Sequence, residues 1–219
     1  MLVLVPPAVI NFLWLKKTRK KILIFSLFTA AIFAPPVELA ARLANVWDVD
    51  TMFPRPFGVM PVENLLFAFL NFFWVLCFYE YFVDGDTQHT VSHRFKYLLL
   101  LYVGMAAAVF GAYAYDPQLV SLNYFTVALP VVIAPLILIY WKKPEWLRKT
   151  ILPTAFFAFV FFVYEMISLR VGSWWWPGSY VLPLDIGGKI FPLDDVIIWY
   201  LFSTPALIGG YEFFADDWA

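Results

Sequence analysis

The chain reads as an all-α, polytopic membrane helix bundle: seven transmembrane helices, arranged as two parallel three-helix repeats joined by one linking helix. Composition, the length of the apolar runs and an internal duplication predict this. Hydrophobic residues are 63% of 219 and charged residues 14%, against roughly 45 to 50% and 25% in a soluble domain. Mean hydropathy is +0.76. The lipid bilayer is the expected solvent. A net charge of -1 speaks against a nucleic-acid partner, which shows as a basic face or stripe. The one cysteine, Cys77, permits no intrachain disulfide. Lys16 to Lys21 follow the first apolar stretch, the reverse of the order in a cleaved signal peptide.

Taken in order, apolar runs fall near residues 2–15, 22–40, 61–83, 97–115, 121–141, 150–170 and 191–214. At about 1.5 Å per residue, most of them cross a hydrocarbon core of about 30 Å. The first reaches only about 21 Å, so it needs Lys16 and Lys17 to snorkel or the bilayer to thin. With seven spans, eleven of the fifteen Lys and Arg fall on one side, in the connectors holding residues 16–21, 84–96 and 142–149. The positive-inside rule then puts the N-terminus outside and the C-terminus in the cytoplasm of an integral cell-membrane protein.

The duplication recurs in order along the chain. Lys20-Lys21, Glu38, Arg42, Trp47, Pro61-Val62-Glu63-Asn64 and Tyr79-Glu80 match Arg148-Lys149, Glu165, Arg170, Trp175, Pro192-Leu193-Asp194-Asp195 and Tyr211-Glu212. Three spans form the unit, and an extra span between the copies restores their direction, giving parallel repeats. The expected divisions are residues 1–96, a linking helix at 97–120, and residues 121–219. Glu38 and Glu63 are 25 positions apart, whereas Glu165 and Asp194 are 29 apart, so the second outer loop is longer.

Acids inside apolar spans are expensive and mark function. Glu38, Glu165, Glu63, Asp194 and Asp195 all fall at the outer depth, which predicts one water-poor pocket with aromatic walls. An acid shielded from water can keep its proton near neutral pH and serve as a general acid. Glu38 and Arg42, spaced i, i+4, are expected to pair. Pro-x-acid also suits a plain helix start, with the acid at the positive end of the helix dipole. Glu80 and Glu212 fit interfacial anchoring, and the Trp residues fit either a membrane belt or cation stabilisation. His89 and His93, beside Asp84 and Asp86, read as a solvated loop more than a metal site. No dinucleotide or P-loop signature occurs.

The strings Met60-Pro61-Val62-Glu63-Asn64-Leu65-Leu66-Phe67 and Phe191-Pro192-Leu193-Asp194-Asp195-Val196-Ile197-Ile198 resemble the Pro-x-Glu-Glu/Asp motifs of the membrane-integral lycopene cyclase domain family. Its fused members share the 3+1+3 layout, and the resemblance covers nearly the whole chain. It implies a cofactor-independent, metal-free intramolecular lyase or isomerase that closes the linear ends of a hydrophobic carotene to rings. Among the candidate catalytic acids, Glu63 and Asp194 fall on the family's first acidic position and Asp195, with Asn64, on the second, while Glu38 and Glu165 join them from the residue reading alone. Substrate contacts would fall to Asn64, Arg42, Arg170, Trp47, Trp175 and Phe67. Asn64 and Asp194 depart from the motif, since an amide cannot exchange a proton as a carboxyl group does and Asp is a methylene shorter than Glu. Two other readings stand beside it: a 3+1+3 SWEET-like small-solute transporter hinged at its prolines, and a non-catalytic carotenoid-binding protein. Oligomeric state, carotene and ring type are open.

Overall fold

The computed structural model describes residues 4–58, 60–86, 90–121, 128, 132–180 and 182–216, the side chain of Phe57 excepted. It is 73% helical. Among the described residues, five helices are long and apolar enough to cross a membrane: α2 (Arg19–Leu43), α3 (Val62–Asp84), α4 (Phe95–Tyr115), α6 (Trp146–Val171) and α7 (Leu193–Phe214). Two are shorter, α1 (Val5–Trp14) and α5 (Ala134–Lys142). The weak first run is therefore ten residues of helix, begun at Pro6 and Pro7. Most of the run before α5 lies outside the described residues.

Helix α3 is the hub, packing on α1, α2, α6 and α7. Lipid gives helices no hydrophobic reason to associate, so shape and polar contacts hold the bundle. Aromatic edges supply much of the shape. Trp74 meets Phe157 edge-on at 5.0 Å, and Tyr211 meets Phe25 at 5.3 Å. The Trp74 indole N–H donates to buried Asn11 at 3.0 Å. Only 6% of the apolar window of α4 is buried, against 61% for α3. The linking run therefore lies at the edge of the bundle.

Among the described residues, π turns interrupt three of the long helices: Thr29–Phe33 in α2, Glu80–Asp84 in α3 and Val196–Phe202 in α7. Such turns often mark functional sites. Here the first lets Pro35 and Pro36 sit within α2 just before Glu38, and the last follows Asp195 directly. Helix α6, which carries Glu165, is continuous over 26 residues.

Candidate functional site

Helices α2 and α6 end alike. Asn45 lies seven residues after Glu38 and takes a positive φ of 53°, and Gly172 lies seven after Glu165 with φ 71°. Left-handed residues of this kind close helices, with the next N–H reaching back five residues. Val46 N donates to the Ala41 carbonyl at 2.8 Å and Ser173 N to the Ser168 carbonyl at 3.1 Å. Both segments then turn into strands that pair antiparallel, β1 (Asp48–Val49) with β2 (Trp174–Trp175), so the loops that follow α2 and α6 are stitched together. A hairpin of β3 (Pro183–Asp185) and β4 (Ile190–Pro192) leads into α7.

This stitching gathers three tryptophans between two buried acids. The Trp47 indole N–H donates to Glu38 Oε2 at 3.1 Å, and the Trp176 indole N–H donates to Glu165 Oε1 at 2.9 Å. Trp174 lies between them, stacked on Trp47 at 6.2 Å and edge-on to Trp176 at 5.8 Å. The residue alignment paired Trp47 with Trp175. Counted from the left-handed caps, the partner of Trp47 is Trp174, its stacking neighbour, and the acid contact passes to Trp176. Trp175 is 42% exposed.

The expected Glu38–Arg42 pair is replaced by another contact. Arg42 forms an ion pair with Asp48 and donates to the Trp47 carbonyl at 2.9 Å. Arg170 follows Glu165 by five residues rather than four, which swings it about 100° around the helix, and it is exposed. In the cap register the position of Arg42 falls on buried Leu169. Burial acts to raise the Asp48 carboxyl, but hydrogen bonds from Arg42, Arg55 and the Val49 N–H outweigh it and hold the group below its ordinary 3.8.

Pro61 and Pro192 are both N-caps with extended backbone, ψ 125° and 126°, and they place Glu63 and Asp194 in equivalent first turns. Their surroundings differ. Glu63 Oε1 accepts from the Met52 and Phe53 N–H groups at 2.6 and 2.9 Å, while Oε2 is buried with no hydrogen-bond partner. Asn64 donates to Glu38 Oε1 at 3.0 Å. Glu63, Asn64 and Phe67 line a cavity of about 170 Å³ together with Asp50, Tyr164 and Trp174, drawn from both halves. Phe67 stacks on Tyr164 at 5.1 Å. Asp194 and Asp195 are 3% and 4% exposed and do not line that cavity. Tyr180 lies close enough to feel both, and its hydroxyl is pushed up to about 12 by burial first and then by the charges of Asp195 and Asp194.

The residue order drew attention to the run Trp174, Trp175 and Trp176 beside the acids but gave the site role to Trp175. It singled out neither Tyr164 nor Tyr180. Glu80 and Glu212 are not interfacial anchors: they are 0% and 7% exposed, inside the far end of the bundle. One oxygen each of Glu80, Asp84 and Asp216 there lies within metal-ligand range of the others. His93 is exposed, and its expected partner His89 lies outside the described residues. No family model, curated protein or solved structure matches the chain.

Proposed function

We propose that the chain is a membrane-embedded carotene cyclase of the lycopene cyclase type, built as seven spans in 3+1+3 parallel repeats with its N-terminus outside. The observation that carries the reading is Glu63. One of its oxygens is anchored by two backbone N–H groups, and the other is unpartnered in a residue lining a cavity between the halves, where Phe67, Tyr164 and Trp174 stand among the polar groups of Asp50, Asn64, Ser168 and Ser173. A general acid or base needs a free oxygen within reach of the reacting atom. About 170 Å³ is below the roughly 300 Å³ of a site for a whole drug-sized ligand. It suits one end of a long polyene whose remainder lies among the helices.

The chemistry is redox-neutral. A protonated acid adds H⁺ to the terminal double bond, leaving a tertiary cation. The neighbouring double bond attacks it, forming the ring C–C bond and moving the cation into the ring. A carboxylate removes a ring proton, creating the new double bond and restoring the proton count. Phe67, Tyr164 and Trp174 line the cavity, where electron-rich rings can stabilise the cation. Glu38, held by Trp47 and Asn64, keeps a second acid behind the wall. In lycopene-producing cells, expression of the chain yields a cyclic carotene by chromatography. Glu63→Gln stops the conversion while folded protein remains in the membrane. Unchanged pigment with well-expressed wild type removes the reading.

A small-solute transporter is the second reading. It is favoured by buried polar atoms without hydrogen-bond partners at mid-bundle, including Ser26 Oγ, Asn71 Nδ2 and Thr204 Oγ1. Labelling of cysteines placed there by a water-soluble thiol reagent supports transport, and protection supports the cyclase.

A further inference from the structure

The end of the bundle opposite the cavity holds a second set of buried charges, wired crosswise between the halves. Tyr79-Glu80 followed by Asp84 recurs as Tyr211-Glu212 followed by Asp216, with the same spacing. The Tyr211 hydroxyl donates to Glu80 of the other half. Lys21 Nζ lies 2.7 Å from Asp216 and 3.3 Å from Glu80, with no exposed surface on Lys21 or Glu80. Lys149 lies 2.8 Å from Asp84. Each half thus lends its lysine to the other half's aspartate.

Four carboxyl groups, Glu80, Asp84, Glu212 and Asp216, thus gather at a mostly buried site with the ammonium groups of Lys21 and Lys149. Buried carboxylates call for cationic partners. Asp84 ends α3 and Asp216 lies just beyond the end of α7, where helix dipoles favour a cation. One oxygen each of Glu80, Asp84 and Asp216 lies within 4.8 Å of the others, a spread that fits six-coordination with metal–oxygen bonds of about 2.0 to 2.6 Å. Glu212 adds an independent sign. It is 7% exposed, its Oε1 has no hydrogen-bond partner, and it lies close enough to Asp84 and Asp216 to feel their charges.

We propose that Glu80, Asp84 and Asp216 bind one hard divalent cation of the Mg²⁺ or Mn²⁺ class, with Glu212 as the fourth carboxylate beside it. An all-oxygen donor set selects such ions over zinc or copper. The ion ties the end of α3 to the end of α7, and with Lys21 and Lys149 it closes this end of the bundle while the cavity end stays accessible.

The test uses the full chain, purified in detergent and titrated with Mn²⁺ by electron paramagnetic resonance, with melting followed in parallel. Wild type is expected to bind about one Mn²⁺ per chain, displaced by Mg²⁺, and to melt higher when loaded. Asp216→Asn and Glu80→Gln weaken binding by roughly tenfold or more, whereas Glu38→Gln, at the other end, leaves it unchanged. Should Glu80→Gln fail to fold, Asp84→Asn, at a half-buried carboxylate, replaces it. No binding by wild type at millimolar Mn²⁺ overturns the proposal and assigns the charge balance to protons. Binding that persists in the Asp216 and Asp84 variants overturns it as adventitious surface binding.

Discussion

Glu63 and Asp194 begin equivalent helices after equivalent prolines, yet one lines a cavity and the other is sealed. The cause is the loops that cover them. In the first half, Glu63 draws the Met52–Phe53 backbone onto one oxygen and leaves the second free beside Asn64 and Phe67. In the second half the longer loop after α6 folds back, bringing Tyr180 close enough to Asp194 and Asp195 to feel their charges, and its hydroxyl donates to the Val46 carbonyl of the first half. Duplication supplied two acid centres, and unequal loops left one accessible to a ligand. The expectation of one pocket shared by both sets of acids thus becomes, in our reading, one working centre and one supporting centre.

The sharpest way to break that comparison is to neutralise each acid in turn. Glu63→Gln is expected to lower carotene turnover by about 100-fold or more, the range for loss of a general acid or base. Asp194→Asn, outside the cavity, is expected to leave turnover within about threefold and to act on melting temperature through its buried contacts. Product analysis of membranes with matched protein levels checks both. Equal losses would make the halves functionally alike and sink the asymmetry.

Next in size is the residue that lets the longer loop close. A Cβ added at Gly178 would stand 2.6 Å from the Asn45 carbonyl oxygen, a backbone atom that cannot step aside cheaply. Gly178→Ala is expected to cost about 1 to 3 kcal/mol, as overpacking does, and to loosen Tyr180. Thermal melting reads the cost. Faster proteolysis within residues 173–180 reads the opening, and an unchanged pattern would mean that this loop does not depend on the contact.

Much of the helical frame was legible because apolar length alone announces a membrane helix: five runs became helices within a few residues of their expected ends. The recurring acids were legible too, since charge in an apolar run stands out. Partner choice was not. Matching Arg42 to Arg170 overlooked one residue of offset, and on a helix one residue is a different face. Glu80 looked like an interfacial group because its tyrosine partner, Tyr211, comes from the other half, and no spacing along one segment reveals a crosswise contact.

Trp176→Phe separates the residue-order alignment from the three-dimensional one. It removes the N–H that Glu165 accepts at 2.9 Å while keeping an aromatic ring, and a hydrogen bond to a charged group contributes about 1.5 to 3 kcal/mol at most. A loss of about 1 to 2 kcal/mol is expected from melting curves. Trp175→Phe, at a half-exposed strand position, is expected to fall within about 0.5 kcal/mol of wild type. The reverse order would restore Trp175 as the partner of Trp47.

The smallest effect concerns the ion pairs that fix the first half's loop. Asp48 is held below its ordinary 3.8 because Arg42, Arg55 and the Val49 N–H outweigh its burial. A depressed carboxyl contributes stability that is present above the unfolded value and is lost as pH falls through the folded one. Asp48 is partly exposed, with 27% of its side chain accessible, so solvent screening limits the contribution to about 1 kcal/mol. Asp48→Asn should therefore melt slightly below wild type at pH 7, and the gap should close as pH drops below 3.8. Added salt should shrink the gap at pH 7, because partly exposed pairs are screened. A gap that persists at low pH would assign the Asp48 contribution to packing rather than charge, and would leave the Glu63 loop without its electrostatic brace.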